Sequence, residues 1–163
     1  MLTSLLPPNK SARMGIEKDI PKNYFRSERH KGLVNVLFTS NWITERLKKF
    51  LETDDITPQQ YNILRILKNS DLPLSTLKIR EQMMDKMSDT SRIVERLLKK
   101  KLVNKQVSGY DKRLVDVTLS ETGVQLLQRL DKKTDELDSI ISNLSDQETN
   151  TLNELLDKMR EKE

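Results

Sequence analysis

Apolar side chains recur every three or four residues along most of the chain, which is the spacing of one face of an α-helix. The first such stretch covers residues 28–52 and predicts one long amphipathic helix. Residues 57–60 then place a capping threonine, a proline and a glutamine at the positions that open a second helix. Ser75 can cap a third, shorter helix of roughly residues 76–83. A fourth helix is predicted over about residues 88–101, with Ile93, Val94 and Leu97 on its buried face.

The hydrophobic period changes from 3.6 to 2 after this fourth helix. Residues 103–107 and 115–119 alternate apolar and polar side chains, which indicates two β-strands. The intervening residues carry glycine and aspartate, so a hairpin with a polar, basic tip is expected. A helical stripe resumes from Ser120 to about Asn143, and residues 145–148 form a capping box for a last helix.

The order helix, short helix, helix and hairpin is that of a winged helix-turn-helix. We therefore expect a mainly α fold with a small two- to three-stranded β-wing and with N- and C-terminal dimerisation helices. The expected divisions are a flexible arm over residues 1–27, a dimerisation helix over 28–54, a DNA-binding winged helix-turn-helix over 55–120 and dimerisation helices over 121–163. A content of only 35% apolar and 4% aromatic residues favours helices that complete their core against a second subunit.

Charge is distributed unevenly along the 163 residues, although the net charge is only +4. Residues 75–113 hold 11 basic and 5 acidic side chains, whereas residues 114–163 hold 6 basic and 12 acidic ones. A basic middle followed by an acidic end favours a module that faces a polyanion. On charge alone, a solvated surface with no such partner is an equal alternative.

The composition excludes several functions. The chain has no cysteine and one histidine, His30, so thiol catalysis, disulfides and zinc sites built from Cys or clustered His are ruled out. Four scattered glycines leave no phosphate-binding loop. We expect no enzyme activity, no cofactor and no metal. No apolar run approaches the ~20 residues of a membrane span, and the N-terminus lacks the pattern of a signal peptide, so no membrane partner and a cytoplasmic location are expected.

Candidate DNA contacts gather on the fourth helix and the hairpin. Short hydroxyls and arginine at the start of an exposed helix face suit base edges and phosphates. On the recognition helix the candidates are Ser88, Asp89, Thr90, Ser91, Arg92, Arg96 and Lys99, with Ser75 and Thr76 of the preceding helix as DNA-backbone contacts. On the wing they are Lys105, Asp111, Lys112 and Arg113. An arginine on a thin wing can enter the minor groove, and Asp111 can orient Arg113; an ordinary turn is the alternative.

Residues 56–124 resemble the multiple antibiotic resistance regulator (MarR) family. The resemblance lies in residues 56–61 at the start of the second helix, 88–97 in the recognition helix, 111–113 in the wing and 119–123 at the next helix. It implies a bacterial homodimer, a repressor or activator with interlocking terminal helices, in which Ser88 and Arg92 occupy the major groove and Arg113 the minor groove. Three positions depart from the family pattern: Lys101 replaces a glycine, Lys105 an arginine and Ser120 a threonine. Without the glycine, we expect the recognition helix to end less sharply.

Together these features lead us to expect a sequence-specific double-stranded DNA-binding transcription regulator, with repression as the expected mode. It would act as a homodimer on a pseudo-palindromic operator and respond to a small-molecule effector. The alternative is a winged-helix protein-interaction module without a specific DNA target. Phe38, Trp42 and Tyr61 could line an effector cleft, but aromatics at such spacing are more often core, so the effector site stays unassigned.

Overall fold

The computed structural model describes residues 15–107 and 115–161, and these residues form seven α-helices and three strands. Their order is α1 (Glu28–Glu52), α2 (Pro58–Lys68), β1 (Leu74–Ser75), α3 (Thr76–Gln82), α4 (Thr90–Lys99), β2 (Val103–Val107), β3 (Val115–Leu119), α5 (Glu121–Asp131), α6 (Thr134–Asp138) and α7 (Asp146–Arg160). Short 3-10 turns occupy Gly15–Lys18, Lys22–Tyr24 and Ser139–Ile141. A search of these described segments finds no helix with the length and apolar character needed to cross a membrane. The predicted mainly α winged helix-turn-helix fold is confirmed.

The chain divides into two compact units within α1, at Ile43 and Thr44. In the first unit, Lys31 Nζ lies 2.7 Å from Glu17 Oε1, and the rings of Tyr24 and His30 stack with centroids 5.7 Å apart. Ile16 is buried in one of the 3-10 turns. The predicted flexible arm therefore contains regular turns and a buried side chain in the part that the structure describes.

The core of the second unit lies where α2, α4 and α5 meet the sheet. Each of these helices points its apolar stripe inward, as the helical spacing predicts. The side chains with no exposed surface are Leu51, Ile63, Leu64, Ile79, Val94, Leu97, Val117 and Leu127. Because Val94 and Leu97 belong to α4, the inner face of the predicted recognition helix is held by the core, and its outer face is left for other contacts.

The sheet is antiparallel, with strand order β1-β3-β2. In the hairpin, Val103 pairs with Leu119 and Val107 with Val115, which matches both predicted strands. The third strand is only two residues long, and its Leu74 lies opposite Val117. Leu74 and its partner Val117 are both buried, so packing in the core favours this pairing. Alternation cannot reveal a strand of two residues.

Both predicted capping boxes are present. The Thr57 hydroxyl accepts a hydrogen bond from the Gln60 N–H at 3.2 Å, and Gln60 Oε1 accepts one from the Thr57 N–H at 3.1 Å. At the start of α7, Glu148 Oε2 accepts from the Ser145 N–H at 2.8 Å. This bond and that from the Ser145 hydroxyl lower the pKa of Glu148. Both boxes form because they need only local sequence.

The prediction of one continuous helical stretch from Ser120 to about Asn143 is wrong. α5 ends at Asp131, and α6 and a 3-10 turn follow as separate pieces. The Thr134 hydroxyl donates to the Asp131 carbonyl at 2.6 Å. Leu130 is the last fully buried residue of the stripe, and residues 132–136 are exposed. Without a core to pack against, this segment lacks the tertiary contacts that give most helices their stability.

Asp131 links α5 to α2 through two ion pairs. Its carboxylate lies 2.6 Å from Arg65 Nη1 and 2.5 Å from Lys68 Nζ. Arg65 Nε also donates to the Tyr61 hydroxyl at 2.8 Å. The hydrogen bond from Lys68, followed by that from Arg65, lowers the pKa of Asp131.

Asp131→Asn is therefore expected to lower the free energy of unfolding at pH 7 by up to about 1 kcal/mol, the usual size for partly exposed pairs. Because the folded pKa lies below the unfolded one, the stabilisation is present above the unfolded pKa and is lost as the pH falls through the folded value. Denaturant titrations from pH 7 to pH 3 should show the two proteins converging in acid. Asp71→Asn, an exposed loop change, is the control; equal losses in both variants would contradict this role.

Candidate nucleic-acid interface

The outer face of α4 is basic and open to solvent. Ser91, Arg92, Arg96 and Lys99 are exposed, and the Arg92 side chain keeps 80% of its surface accessible. The opposite face is buried through Val94 and Leu97. An exposed helix face anchored from behind in this way has the geometry of a helix that enters the major groove.

The start of α4 is organised by two of the predicted contact residues. Asp89 is the capping residue, and its Oδ1 accepts a hydrogen bond from the Arg92 N–H at 3.1 Å. Ser88 precedes the helix, half-buried, and its hydroxyl donates to the Asp85 carbonyl at 2.8 Å. The helix thus begins two residues later than predicted, because Asp89 takes the capping position.

Thr90 does not lie on the exposed face. It is only 4% exposed, and its hydroxyl has no hydrogen-bond partner among the described residues. As the first residue of α4 it falls on the same face as Val94 and Leu97, four and seven residues further on. This placement does not support the predicted DNA contact for Thr90.

Ser75 and Thr76 lie at the start of α3, beside the start of α4. The Ser75 hydroxyl caps α3 by accepting from the Lys78 N–H at 3.3 Å. A cavity of about 390 Å³ separates the two helix starts, and Thr76, Arg80 and Ser91 are among its lining residues. The structure therefore brings the predicted backbone-contact residues to the same edge as the recognition helix.

On the hairpin, Lys105 is exposed, and its Nζ lies 2.5 Å from Glu95 Oε1. This ion pair ties β2 to α4 and holds Lys105 against the recognition helix. The other predicted wing residues, Asp111, Lys112 and Arg113, lie outside the described residues, and their roles remain predictions.

The end of α4 is sharp, so the expectation of a gradual end is wrong. Lys101 adopts a left-handed backbone with φ 58°. Its N–H donates to the Leu98 carbonyl at 2.9 Å, and the Leu102 N–H donates to the Leu97 carbonyl at 3.0 Å. These two bonds form the Schellman motif that usually carries glycine at the left-handed position. A lysine fills that position here at a cost in backbone strain.

Lys101→Gly should consequently stabilise the protein. Relief of the left-handed strain, worth about 1–2 kcal/mol, exceeds the extra freedom that glycine adds to the unfolded chain, about 0.5–1 kcal/mol. A net gain of up to about 1 kcal/mol should appear in thermal unfolding. Lys99→Gly, two residues earlier and at the last helical position of α4, should lose up to about 1 kcal/mol. A loss in both variants would show that Lys101 is not strained.

Sequence reasoning missed three basic residues near this surface. Arg80 is exposed on α3, and its Nε donates to the Lys86 carbonyl at 3.4 Å. Lys48 and Lys49 are exposed on the last turns of α1 and line a cavity together with residues of α4. The sequence does place Lys48 and Lys49 shortly before the Thr57 cap of α2. Because a short connection brings the end of one helix close to the start of the next, this position could have indicated that the two lysines lie near α2.

The described elements define a winged helix-turn-helix protein. No family model matches the chain, and neither does any curated protein. Solved structures do match, with the fold of MarR-type transcription regulators. A MarR-like transcription regulator from Bacillus cereus is 21% identical with a TM-score of 0.74, over 82% of this chain and 96% of that one.

Two further matches are DNA complexes. The MepR–DNA complex of S. aureus is 25% identical with a TM-score of 0.69, over 76% of this chain and 92% of that chain. A mutant of E. coli MarR complexed with operator DNA is 20% identical with a TM-score of 0.72, over 90% of this chain and 98% of that chain. These matches confirm the predicted resemblance to MarR-type winged-helix regulators.

Proposed function

We propose that this protein is a MarR-type transcription regulator that binds double-stranded DNA in a sequence-specific manner. The observation that carries the proposal is the two-sided character of α4. Val94 and Leu97 anchor one face in the core, while Arg92, Arg96 and Lys99 are exposed on the opposite face. Side chains on such a face can reach base edges and phosphates together. The DNA complexes of MepR and MarR, which share the fold, support this reading.

The charge distribution supports binding to the DNA backbone. Residues 75–113, which include α3, α4 and the first strand of the hairpin, hold 11 basic and 5 acidic side chains. Contacts between cations and phosphates release counterions from DNA, so the affinity should fall steeply as salt rises. Ser75 and Thr76 add hydroxyls and the N-terminal N–H groups of α3 at the same edge.

A homodimer is the assembly that the exposed apolar faces favour. In the first unit, Leu33, Leu37, Phe38 and Ile43 of α1 are between 37% and 58% exposed. In the second unit, Leu152, Leu155 and Met159 of α7 are between 38% and 58% exposed. A second copy that covers these residues would gain roughly 25 cal/mol for each Å² of apolar surface buried. It would also present two recognition helices roughly 34–36 Å apart to a pseudo-palindromic operator.

Repression is the proposed mode of regulation in the cytoplasm, through occupation of the operator. A small-molecule effector would change operator affinity only if it binds one arrangement of the two recognition helices more tightly than the other. No residue is assigned to that effector.

Selection of random double-stranded DNA by the purified protein, followed by sequencing, tests the proposal. A two-fold symmetric motif whose affinity falls with salt is the expected result, and sedimentation analysis should give the mass of a dimer. Recovery of unselected DNA only, or no retention of DNA at low salt, would reject it. The alternative, a protein-interaction module, predicts that second outcome.

A further inference from the structure

A large cavity lies beside the recognition helix, at the far end from its capping residue. It has a volume of about 900 Å³ and is formed by the end of α1, the start of α2 and the last turns of α4. Its cationic lining residues are Lys48, Lys49, Arg96, Lys99 and Lys100. The lining residues all belong to the second unit, so the cavity is complete within it.

The positive charge of this cavity is mostly uncompensated. Lys100 Nζ is 2.9 Å from Asp55 Oδ2 and also donates to the Asp55 carbonyl, so this pair is internally satisfied. The other four cations form no ion pair with any residue in the ranges 15–107 and 115–161. Only one further carboxylate, that of Glu52, lines the cavity. Clustered like charges repel one another unless an anion lies between them.

Helix dipoles are the ordinary explanation for cations at the ends of α1 and α4. In this cavity, however, the hydrogen bonds that close α4 come from the backbone N–H groups of Lys101 and Leu102. α1 closes in a similar way, through the N–H groups of Asp55 and Ile56. The carbonyls at both helix ends are therefore partly satisfied without these side chains. Apart from Lys100, the cationic side chains of the cavity stay exposed and available to an external anion.

The cavity continues directly into the recognition surface. A smaller cavity of about 190 Å³ shares Thr57, Gln59, Gln60 and Arg96 with the larger one and extends to Ser88 and Ile93. Arg92, Arg96 and Lys99 are four and three residues apart and follow one face of α4 into it, over about 10 Å of helix. A single small anion would require only one end of this track, whereas a DNA strand, with regularly spaced phosphates, can occupy its length.

We propose that this cavity receives the DNA phosphate backbone, with Lys48 and Lys49 as phosphate contacts outside the helix-turn-helix. The inference rests on the proposed function and extends it, because α1 is otherwise assigned only to dimerisation. In this arrangement Lys48 and Lys49 contact phosphates and not bases, so their contribution to affinity is independent of base sequence.

The test compares Lys48→Gln/Lys49→Gln with Lys132→Gln/Lys133→Gln. Both variants lose two positive charges, and Lys132 and Lys133 are exposed at the end of α5, away from the cavity lining. Affinity for the selected operator and for scrambled DNA is measured between 50 and 200 mM salt. The first variant should lower the slope of log affinity against log salt by roughly 1–2 and weaken both DNAs alike, whereas the second should leave the slope unchanged. Sedimentation and circular dichroism check that assembly and folding are intact.

The remaining outcomes distinguish a failure of the phosphate contacts at Lys48 and Lys49 from a failure of the proposed DNA-binding function. If the wild-type protein selects no DNA, the proposed function fails and the inference falls with it. If the wild type binds its operator and both variants keep its salt slope, the inference alone is overturned. Calorimetry with inorganic pyrophosphate adds a third arm. Micromolar binding that the Lys48→Gln/Lys49→Gln change removes, with an unchanged slope on DNA, would make the cavity a small-anion site and overturn the assignment to DNA.

Discussion

Gly123→Ala is expected to destabilise the protein by about 3 kcal/mol, although alanine ordinarily stabilises a helix. Gly123 lies in the first turn of α5, where that helix crosses the turn that follows α4. A Cβ atom here would fall far inside van der Waals contact of the Leu102 carbonyl oxygen and would lie 3.1 Å from its carbon. Both atoms are backbone, so no side-chain rotation can relieve the clash.

The Leu102 carbonyl also has little freedom to move. It accepts a hydrogen bond from the Ser120 N–H at 3.2 Å, and the Ser120 hydroxyl donates to the Lys101 carbonyl at 2.6 Å. The same hydroxyl caps α5 by accepting from the Gly123 N–H at 3.0 Å. Ser120, which replaces the threonine of the MarR-type pattern, makes all these hydroxyl contacts. Displacing α5 would therefore break the junction that holds the end of the recognition helix.

Gly32→Ala is the matched control. Gly32 lies within α1, and a Cβ atom there would meet nothing within 4 Å. The same substitution should therefore raise stability by about 0.8–1 kcal/mol, the ordinary gain in helix propensity. Denaturant unfolding of the full chain should show changes of opposite sign. A gain in both variants would mean that α5 does not approach Leu102 as closely as described.

Arg92→Ala is expected to lower affinity for the selected operator by about 1–3 kcal/mol, which corresponds to about 5- to 150-fold. Arg92 lies in the first turn of α4, and its Nε is 3.8 Å from the carboxylate oxygen Oδ2 of Asp89. This weak pair leaves the guanidinium free to donate two parallel hydrogen bonds to a guanine edge. Affinity for scrambled DNA should fall much less, which titrations of both DNAs can measure.

Two further variants separate base reading from charge. Arg92→Lys keeps the charge but loses the planar pair of donors, so it should still lose discrimination between operator and scrambled DNA. Lys99→Ala should weaken both DNAs alike and lower the salt slope by roughly 1. If Arg92→Ala also weakens both DNAs equally, Arg92 contacts phosphate and a different side chain reads the base.

The Gly123 and Arg92 substitutions affect opposite ends of the same helix, α4. Gly123 allows α5 to approach the turn at Lys101 and Leu102, and that close approach holds one end of α4. Arg92 projects from the other end of α4, beside the capping Asp89. A variant that loosens the junction at Gly123 should consequently weaken DNA binding as well as folding, because a recognition helix contributes specificity only when its orientation is fixed.

Much of the fold could be predicted because it depends on local sequence. The bounds of α1, β2 and β3 match the predicted ones, and the caps at Thr57 and Ser145 form as expected. Periodicity failed where the sequence continued a stripe but the core ended, as after Leu130. The Lys101 left-handed turn was misjudged because packing and backbone hydrogen bonds can hold a lysine in a conformation that its own preference opposes.

The candidate site divides in the same way. The sequence by itself determined that α4 is amphipathic and that its outer face is basic, since both follow from the order of residues within one helix. Only the tertiary structure decided that Thr90 faces the core, that Lys100 is paired with Asp55, and that Lys48 and Lys49 share a cavity with Arg96 and Lys99. Burial and charge pairing depend on which segments meet, and residues about 50 positions apart meet only when the whole unit folds.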